Sequence, residues 1–171
     1  MLIIFAGLPA TGKTTLSREL ARELGAVHLR IDTIEYALRE ALPRDQPIDD
    51  LGYRIAYAIA EDNLRLGRTV LADSVNPLDL TREAWRNAAR RAGVASIDVE
   101  IICSDPAEHR RRVETRVADI PGHKLPTWSE VTAREYHVWA SPRIVVDTAG
   151  KMAPQALTEL RAAVAAAPSR A

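Results

Sequence analysis

The sequence predicts an α/β domain of three layers, a five-stranded parallel sheet with helices on both faces, and three observations predict it. Apolar runs of strand length alternate with helical periodicities almost from end to end. The first run, residues 2–6, is apolar throughout, as in a strand buried on both faces. A glycine-bounded turn, Gly7-Leu8-Pro9-Ala10-Thr11-Gly12-Lys13-Thr14-Thr15, follows it directly and opens a helix.

That helix carries Leu16, Leu20 and Leu24 on one side and is expected to stop at Gly25. A second strand is expected over residues 26–31, with Asp32 at its carboxyl end, then a short helix over 33–42 that ends before Pro43. Residues 43–50 hold two prolines and three aspartates and read as a loop. A longer helix follows over 51–66, with Ile55, Ile59 and Leu66 on one side and Gly67 closing it. The third strand, 69–72, places Asp73 at its end. Next come a helix over 80–92, a strand over 97–103 and a helix over 106–117, whose Pro106 suits a first turn. Residues 118–126 form a polar break. Thr127-Trp128-Ser129-Glu130 then has the spacing of a capping box and opens a helix expected to reach about residue 139. A fifth strand over 143–146 and a last helix over 153–166 complete the pattern, and residues 168–171 are expected to fray. With neither repeat nor linker, residues 1–171 read as one domain.

Composition excludes several classes. Lys plus Arg equals Asp plus Glu, at 23 each, so no overall field draws the chain to nucleic acid or anionic lipid. The single cysteine, Cys103, rules out an internal disulfide or a Cys-based zinc site and is read as a buried thiol. The opening strand has no basic region before it, so it does not read as a signal peptide. No apolar run approaches the roughly 18 to 20 residues that span a bilayer. A cytoplasmic location is expected.

Gly7-x4-Gly12-Lys13-Thr14 matches the Walker A pattern, strand before and helix after. Glycines let successive N–H groups turn inward onto phosphate oxygens, and the helix beginning near Lys13 adds its positive end. Lys13 supplies a cation for the β and γ phosphates of ATP, and the Thr14 hydroxyl can ligate Mg2+. Lys13 is taken to lie in a solvated loop. Guanine-reading and switch motifs of GTPases are absent, and Ser74 follows Asp73 where a hydrolytic ATPase commonly has Glu. Transfer to an acceptor is therefore favoured over hydrolysis.

Asp32 and Asp73 stand at carboxyl ends of strands, the edge where open α/β sheets bind ligands. Asp32 suits a general base for an acceptor hydroxyl, and Asp73 the Mg2+ shell or the acceptor, although each also suits a helix cap. Asn76, in the polar turn after Asp73, and Arg82 are candidates for reading the acceptor. Arg112 and Arg116, four residues apart, would share a helix face and clamp a transferring phosphoryl group, whereas Arg110 and Arg111 read as surface.

These residues resemble the small P-loop kinase superfamily that includes phage-type polynucleotide 5′-kinases, adenylylsulfate kinases and chloramphenicol phosphotransferase. The resemblance covers nearly the whole chain and rests on Gly7 to Thr15, Asp32, Asp73-Ser74-Val75-Asn76 and the Arg112/Arg116 pair; the polynucleotide-kinase-like branch is the nearest pattern. It implies a sheet ordered 2-3-1-4-5, ATP as donor, a mobile lid over about residues 112–128, Asp32 as general base, Arg116 on the γ phosphate, and adenine near 148–150, at Gly150. Glu35 stands where a polynucleotide kinase has a basic residue, and Arg30-Ile31-Asp32 where an adenylylsulfate kinase has Asp-Gly-Asp. The expected activity is phosphorylation of a hydroxyl on a small metabolite or antibiotic-like compound. A nucleic acid 5′-hydroxyl kinase and a nucleotide-binding module without transfer are the alternatives. Between residues 32 and 62 stand Asp32, Glu35, Glu40, Asp45, Asp49, Asp50, Glu61 and Asp62, an excess over nearby arginines that favours a neutral or amine-bearing acceptor near Glu35 and Asn76.

Overall fold

Five strands pair into one parallel sheet in the order β2-β3-β1-β4-β5. They are β1 (Leu2–Ala6), β2 (Val27–Arg30), β3 (Val70–Asp73), β4 (Ser96–Ile102) and β5 (Ile144–Asp147). The computed structural model describes residues 1–122 and 124–167, so the expected fraying of 168–171 falls outside the described residues. Strand β1 lies at the centre, with Leu2 in register with Val70 on one side and Ser96 on the other. Its five residues are all buried, and their alternation splits the core in two. Ile3 and Phe5 pack with Leu16, Leu20, Ile101 and Leu160 under α1 (Lys13–Leu24) and α7 (Ala153–Ala166). Leu2 and Ile4 pack with Ala56, Ala60, Leu64 and Trp85 under α3 (Leu51–Arg65) and α4 (Asp79–Arg91). Among the described residues no helix is long and apolar enough to cross a membrane.

Local departures from the sequence reading have identifiable causes. Helix α2 (Ile31–Ala41) begins directly off β2, which places Asp32 in its first turn instead of beyond a strand. Helix α3 buries Gly52, Ala56, Ala60 and Leu64, whereas Ile59 is exposed and Leu66, its C-cap, is 78% exposed. Small residues win this face because α2 and α3 run close together: a Cβ on Gly52 would stand 2.6 Å from Glu35 Cγ. Cys103 lies just past β4 and is half-buried, its thiol 3.7 Å from the Asp105 carbonyl, so it is not the core thiol expected.

Helix α5 (Pro106–Thr115) ends one residue before Arg116, whose backbone is extended. Helix α6 (Trp128–Thr132) does have its capping box, but it stops well short of residue 139. A buried cation claims the chain beyond it. Arg82 of α4 is fully buried, and its Nη2 donates to the carbonyls of Pro77 at 3.1 Å and His137 at 3.0 Å, while Nε donates to the Asn76 carbonyl at 2.9 Å. Its guanidinium also lies over the Trp139 ring at 3.9 Å and the Tyr136 ring at 5.0 Å. Arg82 is therefore a clamp between the β3–α4 turn and residues 136–139, a long-range demand that local helix spacing cannot register.

Replacing Arg82 with Met removes its donors from the carbonyls of Asn76, Pro77 and His137, of which Pro77 keeps the His137 N–H, and stability falls by about 3 kcal/mol. Urea unfolding measures the loss, and ADP titration of the folded protein should show unchanged affinity; a selective loss of ligand binding would return Arg82 to the cleft.

Candidate functional site

Gly7 must be glycine for two reasons. Its φ is +143°, and a Cβ there would come within 2.3 Å of the Ile101 carbonyl oxygen. Gly12, at φ +94°, forms the N-cap of α1 with no capping side chain, so the first-turn amides remain available to an anion. The loop between is held from outside: His109 Nε2 donates to the Pro9 carbonyl at 2.8 Å, and Thr148 Oγ1 lies 2.8 Å from the Thr11 carbonyl. Thr148 also reaches the Ile102 carbonyl at 2.9 Å, tying the loop to the ends of β4 and β5.

Lys13 is not in a solvated loop as expected. It is buried, and its Nζ pairs with Asp73 Oδ1 at 3.0 Å. Asp73 is 1% exposed, and its other oxygen faces His28 Nε2 at 3.3 Å, off the line of a hydrogen bond. Burial alone would raise the Asp73 carboxyl, but Lys13 and His28 outweigh it and hold the group well below the usual carboxylate range. Asp73 thus sits behind the glycine loop and is not part of the cleft lining.

A cleft of about 1670 Å³ opens above the sheet edge. It brings together Leu8, Pro9, Ala10, Gly12, Lys13, Thr14 and Thr15 with Asp32, Glu35, Arg112 and Arg116. Gly7 and Thr11 shape the loop from below, and Gly150 stands off the lining, its N–H donating to Glu108 at 2.8 Å. Asn76 and Arg82 do not belong to the cleft. Asn76 is fully buried at φ +44°; its Nδ2 donates to the Phe5 carbonyl at 2.7 Å and its Oδ1 accepts from Trp85 Nε1 at 3.1 Å. Both ends of its amide are thus hydrogen-bonded inside the protein, away from the cleft.

The two arginines of the lid region do not share a helix face, because Arg116 leaves the helix. Arg112 is committed, donating to Thr148 Oγ1 and to the Thr148 carbonyl at 2.8 Å each, and to Glu108 at 2.6 Å. Arg116 Nε is buried with no hydrogen-bond partner among the described residues; burial lowers its guanidinium, and Asp32 is the largest charge that opposes the drop. Glu35 packs between α2 and α3, where burial raises its carboxyl against the pull of Arg39, 3.7 Å away.

The acidic wall is smaller than expected. Asp45, Glu61 and Asp62 lie outside the cleft, and Glu61 pairs with Arg91 at 2.8 Å. Nine Lys and Arg side chains line the cleft against seven carboxylates, so its balance is cationic. A second arrangement escaped the sequence reading entirely: Asp119 grips the Arg30 guanidinium with both oxygens, at 2.6 and 2.9 Å, and also takes Arg18 at 3.0 Å. No local spacing signals a pair drawn together from the end of β2 and the segment after α5.

Oxygen donors for a divalent cation are at hand in Thr14, on the cleft lining, and in the ionised Asp73 behind it. Among the described residues no three His, Cys, Asp or Glu side chains converge.

A strand, a glycine loop and a helix at the centre of a parallel 2-3-1-4-5 sheet define a P-loop α/β domain. The chain belongs to the family described as an AAA domain, which matches residues 2–135. The fold is shared with a provisionally named kinase from Chloroflexus aurantiacus j-10-fl, 24% identical at a TM-score of 0.73, over 94% of this chain and 96% of that one. It is also shared with the APS kinase CysC of Mycobacterium tuberculosis, in complex with AMPPNP and APS, at 16% identity and a TM-score of 0.72, over 96% and 97%. A gluconokinase from Sinorhizobium meliloti 1021 follows at 17% and 0.66, over 95% and 90%. No curated protein matches the chain.

The buried pair gives a pH prediction. The Asp73 pKa is depressed in the folded state, so its stabilisation is full above the unfolded value near pH 4 and is lost as pH falls further. Lys13→Met should cost on the order of 3 kcal/mol at pH 7. In Lys13→Met/Asp73→Asn part of that cost returns, and the slope of stability below pH 4 flattens; urea unfolding at pH 7, 4 and 3 reads both.

Proposed function

We propose that the chain is an ATP-dependent phosphotransferase that moves the γ-phosphoryl group of ATP onto a hydroxyl of a small metabolite or an antibiotic-like compound, in the cytoplasm. One observation carries this reading: a single cleft holds an anion-ready glycine loop, the half-exposed carboxylate of Asp32 and Arg116, whose Nε has no hydrogen-bond partner among the described residues. The bound AMPPNP of the APS kinase with the same fold supports ATP as donor.

ATP phosphates lie on the amides of residues 8–15, and Lys13 exchanges Asp73 for the β and γ phosphates. Thr14, with the ionised Asp73 behind it, would hold Mg2+, which would supply positive charge against the phosphates. The acceptor oxygen attacks the γ phosphorus as the bond to the β–γ bridging oxygen breaks. Its proton passes to Asp32, ADP departs, and Arg116 meets the charge that develops on the transferring group. Arg112 holds the Thr148 corner against which the nucleotide rests. Glu35, Glu40, Asp49 and Asp50 on the α2–α3 side disfavour a nucleic acid strand and support a small acceptor.

Asp32→Asn should leave ADP affinity intact in calorimetry and lower transfer by roughly 100- to 10,000-fold. Arg116→Ala should lower kcat with little change in ADP affinity, whereas Arg112→Ala should weaken nucleotide binding. ADP release over a panel of hydroxyl compounds and 5′-hydroxyl oligonucleotides reads the rates. An unchanged rate in Asp32→Asn reduces Asp32 to a helix-terminal charge, and preference for oligonucleotides replaces the small acceptor.

A further inference from the structure

We propose that the Arg30–Arg18 fork, closed in this structure by Asp119, is the acceptor's anion subsite, and that the acceptor is a hydroxy acid whose carboxylate displaces Asp119 while its hydroxyl meets Asp32. The inference rests on the phosphotransferase reading and adds the substrate class.

The grip of Arg30 on Asp119 already displays the recognition. Two guanidinium nitrogens face two carboxylate oxygens, at 2.6 and 2.9 Å, the parallel geometry by which arginine selects a carboxylate. Arg18 adds a third contact at 3.0 Å. Both arginines line the cleft, so the fork opens into it.

Placement links this subsite to the reacting group. The Arg30 nitrogen that holds Asp119 also stands 3.5 Å from Asp32 Oδ2. One guanidinium therefore touches both the general base and the internal carboxylate, so a carboxylate seated in place of Asp119 lies beside Asp32. A hydroxyl carried on the same short skeleton reaches the base.

Charge and burial favour exchange. Arg30 is mostly buried, with 13% of its side chain exposed, whereas Asp119 is half-exposed on a segment without regular secondary structure. Nε of Arg30 and Nε of Arg116 are both buried without a hydrogen-bond partner among the described residues. When Asp119 withdraws, Arg18 loses its carboxylate partner, and Arg30 and Arg116 keep Asp32, with Asp73 acting on Arg30 from behind, so the site becomes more positive. The hydrogen bond from Arg30 is the largest cause of the depressed Asp119 carboxyl pKa, which agrees with a fork built for an ionised oxyacid.

The test titrates D-glycerate and D-galactonate, each against its uncharged polyol, glycerol or galactitol, into ADP-saturated protein, where the phosphate loop is filled. Wild type, Asp119→Ala and Asp119→Ala/Arg30→Gln are compared by calorimetry, with thermal melting to verify folding. Removing the internal competitor should tighten binding of an acid by about tenfold or more, because the open site is no longer a minor state. The gain should disappear in the double variant, spare the polyols, and persist when AMPPNP replaces ADP. No gain, a gain that survives Arg30→Gln, or an equal gain for polyols overturns the subsite. A gain abolished by AMPPNP assigns the fork to the γ phosphate and likewise overturns it. Arginine-dependent acid binding without ADP release from any hydroxyl compound overturns the phosphotransferase reading, while ADP release with polyols but never with acids overturns the hydroxy acid alone.

Discussion

The contact on which the rest depends is the buried pair between Lys13 and Asp73. It joins the glycine loop, which ends β1, to the end of β3, and His28 on β2 backs it from the far side. Neither charge is tolerable alone at that depth, so the pair forces the loop down onto the sheet edge and keeps it in register with the strands. In the proposed reaction Lys13 would exchange Asp73 for phosphate, so stability and ligand binding would share one residue.

Around this pair the chain uses buried polar groups as fasteners. Asn76 closes the turn after β3 against Phe5 and Trp85, and Arg82 fastens residues 136–139 to that same turn. Thr148 and Arg112 do the same on the opposite side, binding β4, β5 and α5 to the phosphate loop. Polar side chains beside a cleft thus divide into those satisfied inside the protein and those left facing out. Asp32, Glu35 and Arg116 belong to the second group, and all three line the cleft.

The cleft is consequently two-sided in charge. Carboxylates gather between α2 and α3, while guanidinium groups gather between β2, α1 and the segment after α5. Asp119, on the segment after α5, ties that segment to Arg18 and Arg30. A sum of charges along residues 32–62 misses this, because charge acts through space and the arginines arrive from distant parts of the chain.

What the sequence determined by itself is the set of things that local chemistry dictates. The unbroken apolar run of β1, the spacing of Gly7, Gly12 and Lys13, and the alternation of strand and helix each state a backbone requirement within a few residues. The phosphate loop, the five parallel strands and the placement of Asp32 near the sheet edge were legible for that reason. Tertiary structure alone decided which polar side chains face the cleft. Whether Asn76 and Arg82 turn inward depends on carbonyls at Phe5, Pro77 and His137, and whether Arg116 stays free depends on where α5 stops. Partnership between Arg30 and Asp119 follows from the packing of the chain after α5 over β2. Satisfying a buried polar group is a contest among partners far apart in sequence, so it is settled only when the chain has folded.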